Sequence, residues 1–408
     1  MGEQYLEAFD SQRASNLMST SQEAILNFSY TDTLSEINPW GKDDLELTNT
    51  DLKTRNFWCH WSNLSTRDKR ICSGVCAVGI SIVGGIWYRH MSQVQPKSKR
   101  FKRRVPKLAN GARRDVVLVV GSPVEPLTRL IALDFEKRGF IVYMSILDGK
   151  DQRYVELNPI TDDINYLNLM SDVNGFKMQI EKFQQLLNLP VIPFPGAEPH
   201  TLRLVSIVFA PTMFFPIGPI ENISVTSWQK MSDRLMVFFK LLSSGLVGLA
   251  RDQNSKLILI YNSIISSTDL PYHGPEVVFQ NSLKNLFTVL TREVYLQGIS
   301  VTQVRLGNLH SSSTENQRNK VANMVSSELR DWSDDMRSLY GNQFSRVLLK
   351  TAPVNPKQGI KLREFYHLLF DLTYSNRRNP TYVYCGSGAR TYDIITSIVP
   401  NSLLNRFL

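Results

Sequence analysis

From Asp115 onward, short apolar runs alternate with stretches whose apolar residues recur every three to four positions. VVLVVG (116–121), FIVYMSI (140–146), LRLVSIVFA (202–210), LILIY (257–261) and ISVTQVRL (299–306) read as buried strands. Between them, Leu127, Leu130, Ile131 and Leu133 share one helical face, and helical texture covers Trp228–Leu249 and Glu276–Tyr295. Strands that alternate with helices in this way predict an α/β domain over 115–408, built on a doubly wound parallel sheet. The stretch Leu187–Thr201, with its four prolines, reads as a loop inserted before a strand.

Upstream the pattern differs. Residues 71–88, ICSGVCAVGISIVGGIWY, are 18 uncharged and mainly apolar positions, flanked by Lys69, Arg70 and Arg89. As a helix they are about 27 Å long, enough for a thin hydrocarbon core. Trp87 and Tyr88 stand where amphipathic rings favour the interface. The segment predicts a transmembrane helix, with a buried core helix as the alternative. Ser73, Ala77, Ser81 and Gly85 place a small residue on one face at every fourth position, a pattern that lets two membrane helices approach closely. Residues 1–66 are acidic, rich in Ser, Thr and Asn, and predict a mostly disordered arm without signal- or transit-peptide character.

Composition narrows the classes. The chain has 408 residues, 42% hydrophobic and 20% charged, which excludes a wholly disordered or disulfide-scaffold protein. Its net charge of +9 is uneven. Residues 89–114 hold ten Lys or Arg and no acid, while 1–88 hold seven basic and eleven acidic residues. One short basic tether gives no broad nucleic-acid-binding face. It predicts that residues 97–104 lie on anionic headgroups and that the α/β domain stays on the cytosol-like side; a nuclear localisation signal is the competing reading. Cys59, Cys72, Cys76 and Cys385 lack metal-ligand spacing, so reduced thiols and no metal site are expected.

Several phrases point further. KRGFIVYMSILDGKDQRYVE (137–156), GPIENISVTSWQKM (218–231), LILIYNSI (257–264), LKNLFTVLTREVYLQGISVTQVRLGNL (283–309) and NPTYVYCGSGARTYDIITSIVPNSLLNRFL (379–408) carry the resemblance. In this order they resemble the short-chain dehydrogenase/reductase superfamily, most closely its steroid and retinol dehydrogenase-like branch. The whole chain resembles an uncharacterised fungal family of membrane-associated, dehydrogenase-like proteins. The first resemblance implies a Rossmann-like fold, an NAD(P) cofactor cradled by Thr-Gly-x-x-x-Gly-x-Gly, and an Asn, Ser, Tyr, Lys catalytic set.

Against that pattern, VGSPVEPL (120–127) keeps Gly121 but puts Glu125 and Leu127 at the other glycines, and Pro123 and Pro126 remove N–H donors. VFAP (208–211) replaces Asn-Asn-Ala-Gly, and Gly307 retains half of a Pro-Gly pair. Ser263 and Lys284 match the serine and lysine, Gln280 stands at the tyrosine and Leu235 at the asparagine. An amide has no proton to exchange near neutral pH. Tyr272 and His273, in the YHGP loop, are alternative proton carriers, their bland reading being a solvated loop; Ser263 and Lys284 likewise read as a local backbone contact and a solvated face.

The expected protein is therefore a membrane-anchored, catalytically degenerate dehydrogenase-like module that acts by interaction. It would bind no cofactor, with NAD(P) as the doubtful alternative. The competing reading is an NAD(P)-dependent oxidoreductase of a lipid-soluble substrate with an altered acid/base; lipid binding in the old cleft is a third. The resemblance implies a homodimer through helices near 226–250 and 275–296. A mitochondrial membrane is the favoured location and the endoplasmic reticulum the second. Asn27 and Asn63 lie in sequons that would report on the latter.

Overall fold

VVLVV is apolar at every position, and a strand of that kind needs helices on both faces. In the computed structural model, β1 (Asp115–Val120) is buried at all six positions and lies third in a seven-stranded sheet, between β2 and β4. The structure describes residues 103–399, except 159–162, 171–172, 193–194, 197, 311–313 and 352–359. All of the described residues belong to one unit. The arm at 1–66, the apolar segment 71–88 with Ser73, Ala77, Ser81 and Gly85, and the tether before residue 103 lie outside the described residues. Among those described, no helix is long and apolar enough to cross a membrane.

The sheet runs β3 (Ile164–Asn168), β2 (Ile141–Ile146), β1, β4 (Arg203–Phe209), β5 (Lys256–Asn262), β6 (Val301–Leu306) and β9 (Tyr382–Cys385). Every neighbouring pair is parallel. Strand order reverses between β1 and β4, which opens a crevice at their carboxyl ends. Two-residue strands β7 (Leu309–His310) and β8 (Ile360–Lys361) pair separately.

Successive side chains of a strand point to opposite faces, so β1 feeds two cores. Val116, Leu118 and Val120 pack with Phe176, Ile180 and Phe183 of α3 (Val173–Asn188), Phe238 of α4 (Val225–Leu241), and Phe279 and Phe287 of α7 (Gly274–Glu293). Val117 and Val119 pack with Leu127, Ile131 and Phe135 of α1 (Pro126–Lys137) and with Phe365 and Leu369 of α10 (Leu362–Tyr374). The helical stretch expected over Trp228–Leu249 is interrupted. A wide turn at Leu242–Leu246, with Gly245 at φ 102, separates α4 from α5 (Val247–Asp252). Helices α2 (Gly149–Leu157) and α6 (Ser263–Thr268) follow β2 and β5.

A third, smaller core holds Val321 and Val325 of α8 (Thr314–Asp331), Phe344 and Leu348 of α9 (Asp334–Thr351), and the connecting Trp332. The C-terminal helix α11 (Ala389–Ile398) packs against α6. Phe287 is fully buried, 4.9 Å from the Phe209 ring in an edge-on contact. Phe287→Ala is expected to cost about 3–5 kcal/mol, read from denaturant unfolding.

Candidate functional site

The crevice begins at the turn after β1. Gly121 donates its N–H to the Ser145 hydroxyl at 2.9 Å, and that hydroxyl donates to the Gly121 carbonyl at 3.1 Å. A Cβ on Gly121 would stand 2.3 Å from the Ala210 carbonyl oxygen and 2.9 Å from the Thr128 hydroxyl. The glycine is thus required by the close approach of β1, α1 and the end of β4, whether or not a ligand binds. Pro126 opens α1 and offers no N–H. Glu125, in the cap position, is buried and accepts a hydrogen bond from the Thr212 hydroxyl. Leu127 is buried in the second core. A helix N-terminus normally attracts anions through free N–H groups and its dipole. Here a carboxylate and two apolar side chains fill that position.

A second carboxylate lies beside it. Asp148 caps α2, accepting from the backbone N–H of Lys150 and Asp151 at 2.9 and 2.8 Å. Asp151 is buried and accepts from the Ser122 hydroxyl and, at 2.9 Å, from the Leu147 N–H. Burial pushes its carboxyl up from 3.8 to about 6, against the opposing pull of those bonds. The sequence reading missed Asp151; its signal was the Asp-Gly-x-Asp spacing, a capping pattern directly after an apolar strand.

The positions that the resemblance marks as catalytic sit on α4, α6 and α7. Ser263 is fully buried as the first residue of α6, and its Oγ has no hydrogen-bond partner among the described residues. Gln280 is fully buried on α7. Its amide nitrogen contacts the Met213 sulfur at 3.7 Å, and its Oε1 has no partner among the described residues. Lys284, one turn further along α7, is half-buried; burial pushes its pKa down while Asp393 opposes. It is not the solvated face that a bland reading expects. Leu235 is half-buried against the first core.

The YHGP segment is not a solvated loop either. Tyr272, at φ 68, stacks edge-on against Phe344 of α9 at 5.3 Å. His273 is buried, its Nδ1 3.4 Å from Glu276 Oε2. Glu276 is fully buried and also accepts from the Asn262 amide at 3.3 Å. Asn262 in turn caps α6. Of this chain the sequence analysis singled out only His273; Asn262 and Glu276 carry no motif signal, and the burial of all three comes from tertiary packing.

At the other end, Gly307 is pinned by the segment after β9. Its N–H donates to the Cys385 carbonyl at 2.7 Å, and a Cβ there would meet the Ser387 oxygen at 2.3 Å and the Ala389 nitrogen at 2.8 Å. Asn308 and Ser387 exchange backbone hydrogen bonds at 2.9 and 3.2 Å. Arg305 stacks on Tyr382 at 4.3 Å and pairs with Asp393 and Tyr384. Cys385 is a free, buried thiol whose pKa burial pushes up to about 12.

Residues 112–405 match DUF1776, a fungal family of unknown function. The chain belongs to this family. It is 26% identical over 250 residues to a UPF0744 protein of Schizosaccharomyces pombe, covering 60% of this chain and 64% of that one. It is 24% identical over 278 residues to the UPF0744 protein YSC83 of Saccharomyces cerevisiae, covering 67% and 60%. The chain thus spans about three fifths of these curated relatives. Solved structures similar to it include a short-chain dehydrogenase from Streptomyces avermitilis (TM-score 0.47, 14% identity, 74% of this chain and 97% of that one). Another is a short-chain dehydrogenase from Burkholderia cenocepacia in complex with NADP (TM-score 0.47, 11% identity, 72% and 98%).

Two outcomes test the geometry of this DUF1776 site. Gly307→Ala forces backbone apart at the β6–β9 junction and is expected to lower the melting temperature by several degrees, on the order of a 1–3 kcal/mol loss. Asp151 has a raised folded pKa, so it adds stability below pH 4 that is lost as pH rises through about 6. The difference in unfolding free energy between wild type and Asp151→Asn is therefore expected to change by about 2 kcal/mol between pH 4 and pH 7. Denaturant titrations across that range check it.

Proposed function

We propose that this chain is a catalytically degenerate, membrane-anchored relative of the short-chain dehydrogenases whose α/β domain works as an interaction module. The observation that carries the reading is Gln280. It occupies the position from which the resembled enzymes exchange a proton, and it is sealed against Met213 with no solvent exposure. A neutral amide there neither gives nor takes a proton near pH 7. The turn after β1 supports the same reading. The residues present do not fit a dinucleotide in the resembled pose: Glu125 would repel its phosphates, Pro126 withholds a donor and Leu127 takes the space. Gly121 and Gly307 have packing reasons of their own, so they add little weight to cofactor binding.

Anchoring rests on the sequence of 71–88, with Ser73, Ala77, Ser81 and Gly85 as a helix-pairing face and 97–104 on anionic headgroups. Arg103 of that run bonds to Asp371 at 2.9 and 3.0 Å, so headgroup contact falls to its other cations. A homodimer through α4 and α7 is supported by exposed Met236, Val278 and Val289 on those helices. A mitochondrial membrane is the proposed site, with the endoplasmic reticulum second; a glycosidase-sensitive mass shift at Asn27 would reverse that order. A second reading, an oxidoreductase of a lipid-soluble substrate, draws on the buried His273–Glu276 pair as a substitute proton carrier.

Thermal shift of the full-length protein with NADH and NADPH separates the two. No stabilisation is expected at millimolar cofactor, whereas a saturable rise in melting temperature overturns the degenerate reading. Gly121 variants are unsuitable controls, since any side chain there collides with Ala210. For the dimer, Val289→Asp on the exposed face of α7 is expected to halve the mass measured by light scattering without lowering the melting temperature. A wild-type monomer would refute it.

A further inference from the structure

Because every strand in the sheet is parallel, all seven begin on one edge. The crevice opens on the carboxyl edge, so segments 103–114, 253–255, 294–300 and 375–381 share the opposite, amino-terminal edge. One point on that edge is unusual. Leu296 is 94% exposed and its neighbour Tyr295 57% exposed. A lone surface leucine needs no explanation, but this one is held out by a built turn. Val294, 3% exposed, roots it in the first core. The short helix Tyr295–Gln297 closes on Gly298 at φ 80. Arg251 donates to the Gln297 side chain at 3.1 and 2.7 Å on one side. Arg378 lies 4.0 Å over the Tyr295 ring and donates to the Tyr295 carbonyl at 3.1 Å on the other.

The surroundings are cationic. Arg251, Arg292, Arg377 and Arg378 are exposed and form no ion pair among the described residues. Nearby acids are Glu293 and Asp252, the latter accepting from Gln184 at 3.1 Å. Elsewhere on the edge Asp371 pairs with Arg103, Asp115 with Arg203 and Asp134 with Arg138, while Glu198 before β4 is exposed. Arg104, Lys107, Arg114 and Lys137 remain exposed without ion pairs among the described residues.

We propose that the amino-terminal edge, presenting Tyr295 and Leu296 among Arg251, Arg292, Arg377 and Arg378, docks on an anionic lipid bilayer. A protruding leucine with an adjacent tyrosine suits the acyl–headgroup boundary, where the ring's polar end stays wet. The guanidinium groups suit phosphate and carboxylate headgroups, and the membrane's negative potential acts over about a Debye length. The inference deepens the membrane-anchored reading and rests on it for the identity of the surface. It adds contacts far from 97–104 in sequence. It also leaves the crevice edge facing away from the lipid.

The test is hydrogen exchange on the full chain reconstituted in vesicles of phosphatidylcholine alone, and of phosphatidylcholine with about 30% phosphatidylserine. Amides of 294–300 and 375–380 are expected to exchange roughly tenfold more slowly in the anionic vesicles, while 219–224 on the crevice edge does not change. Leu296→Asp is expected to abolish that slowing and leave the melting temperature unchanged. Equal exchange in both vesicles overturns the proposal, as does slowing that appears only when an acidic polypeptide is added. Alkaline carbonate extraction of the same vesicles reports separately on the anchor. A chain that is extracted but showed protection refutes the spanning helix alone; a retained chain without protection refutes the docking surface alone.

Discussion

Backbone lies directly on backbone at two points along the carboxyl edge of the sheet, and neither leaves room for a single carbon. At Gly121 the neighbour is the Ala210 carbonyl, and at Gly307 it is the chain from Ser387 to Ala389. Polar groups at strand ends must find partners, since a buried donor or acceptor left without one costs about 1–3 kcal/mol. In this fold they find them within the protein. The Gly307 N–H is taken by Cys385, both backbone groups of Asn308 by Ser387, and the Gly121 N–H by Ser145. The arrangement of the crevice follows from this self-satisfaction: Leu127 enters the core, Glu125 turns to Thr212, and β9 closes over the end of β6.

The polar groups inside the crevice divide into two sets. Ser263 and Gln280 occupy positions that matter in the resembled enzymes, and each leaves a buried polar atom without a partner among the described residues. Asn262, Glu276 and His273 have no counterpart in the resemblance, yet Glu276 joins the other two and Asn262 caps α6. Hydrogen bonding thus gathers at the junction of β5, α6 and α7.

The alternation of strand and helix was legible because buried parallel strands are near-continuous apolar runs, and VVLVV of β1 and LILIY of β5 are of that kind. Strand β3 was not legible. Its sequence INYLN is half polar because it is an edge strand with one side facing solvent. Helices α8 and α9 were also missed. Their apolar residues pack on each other, on Trp332 and on Tyr272, so neither helix has a broad apolar face of its own. The residues at Gln280, Leu235 and Glu125 could be read by spacing from Lys284, Trp228 and Gly121. What could not be read was why Gly121 and Gly307 persist. A glycine that admits a phosphate and a glycine that admits a carbonyl are the same letter, and only the position of Ala210 and Ser387 distinguishes them.

Charge completes the division between the two edges. Part of the basic run after the apolar segment is consumed internally, with Arg103 on Asp371 and Arg113 on Glu136 and Asp163. These pairs staple the start of the domain to α10, to the end of α1 and to the approach to β3. Half-exposed pairs of this kind add little stability, so their value is positional. They pair several acids of the amino-terminal edge, where Arg251, Arg292, Arg377 and Arg378 stand exposed with Glu293 and Asp252 nearby. On the carboxyl edge the opposite holds: Asp148, Asp151 and Glu125 converge near the turn after β1, and Asp151 is kept partly protonated near pH 6 by its burial. An edge with converging carboxylates repels phosphates, and an edge with unopposed guanidinium groups attracts them. The two edges of the sheet therefore differ in charge, with carboxylates gathered at the turn after β1 and exposed guanidinium groups at the starts of β6 and β9.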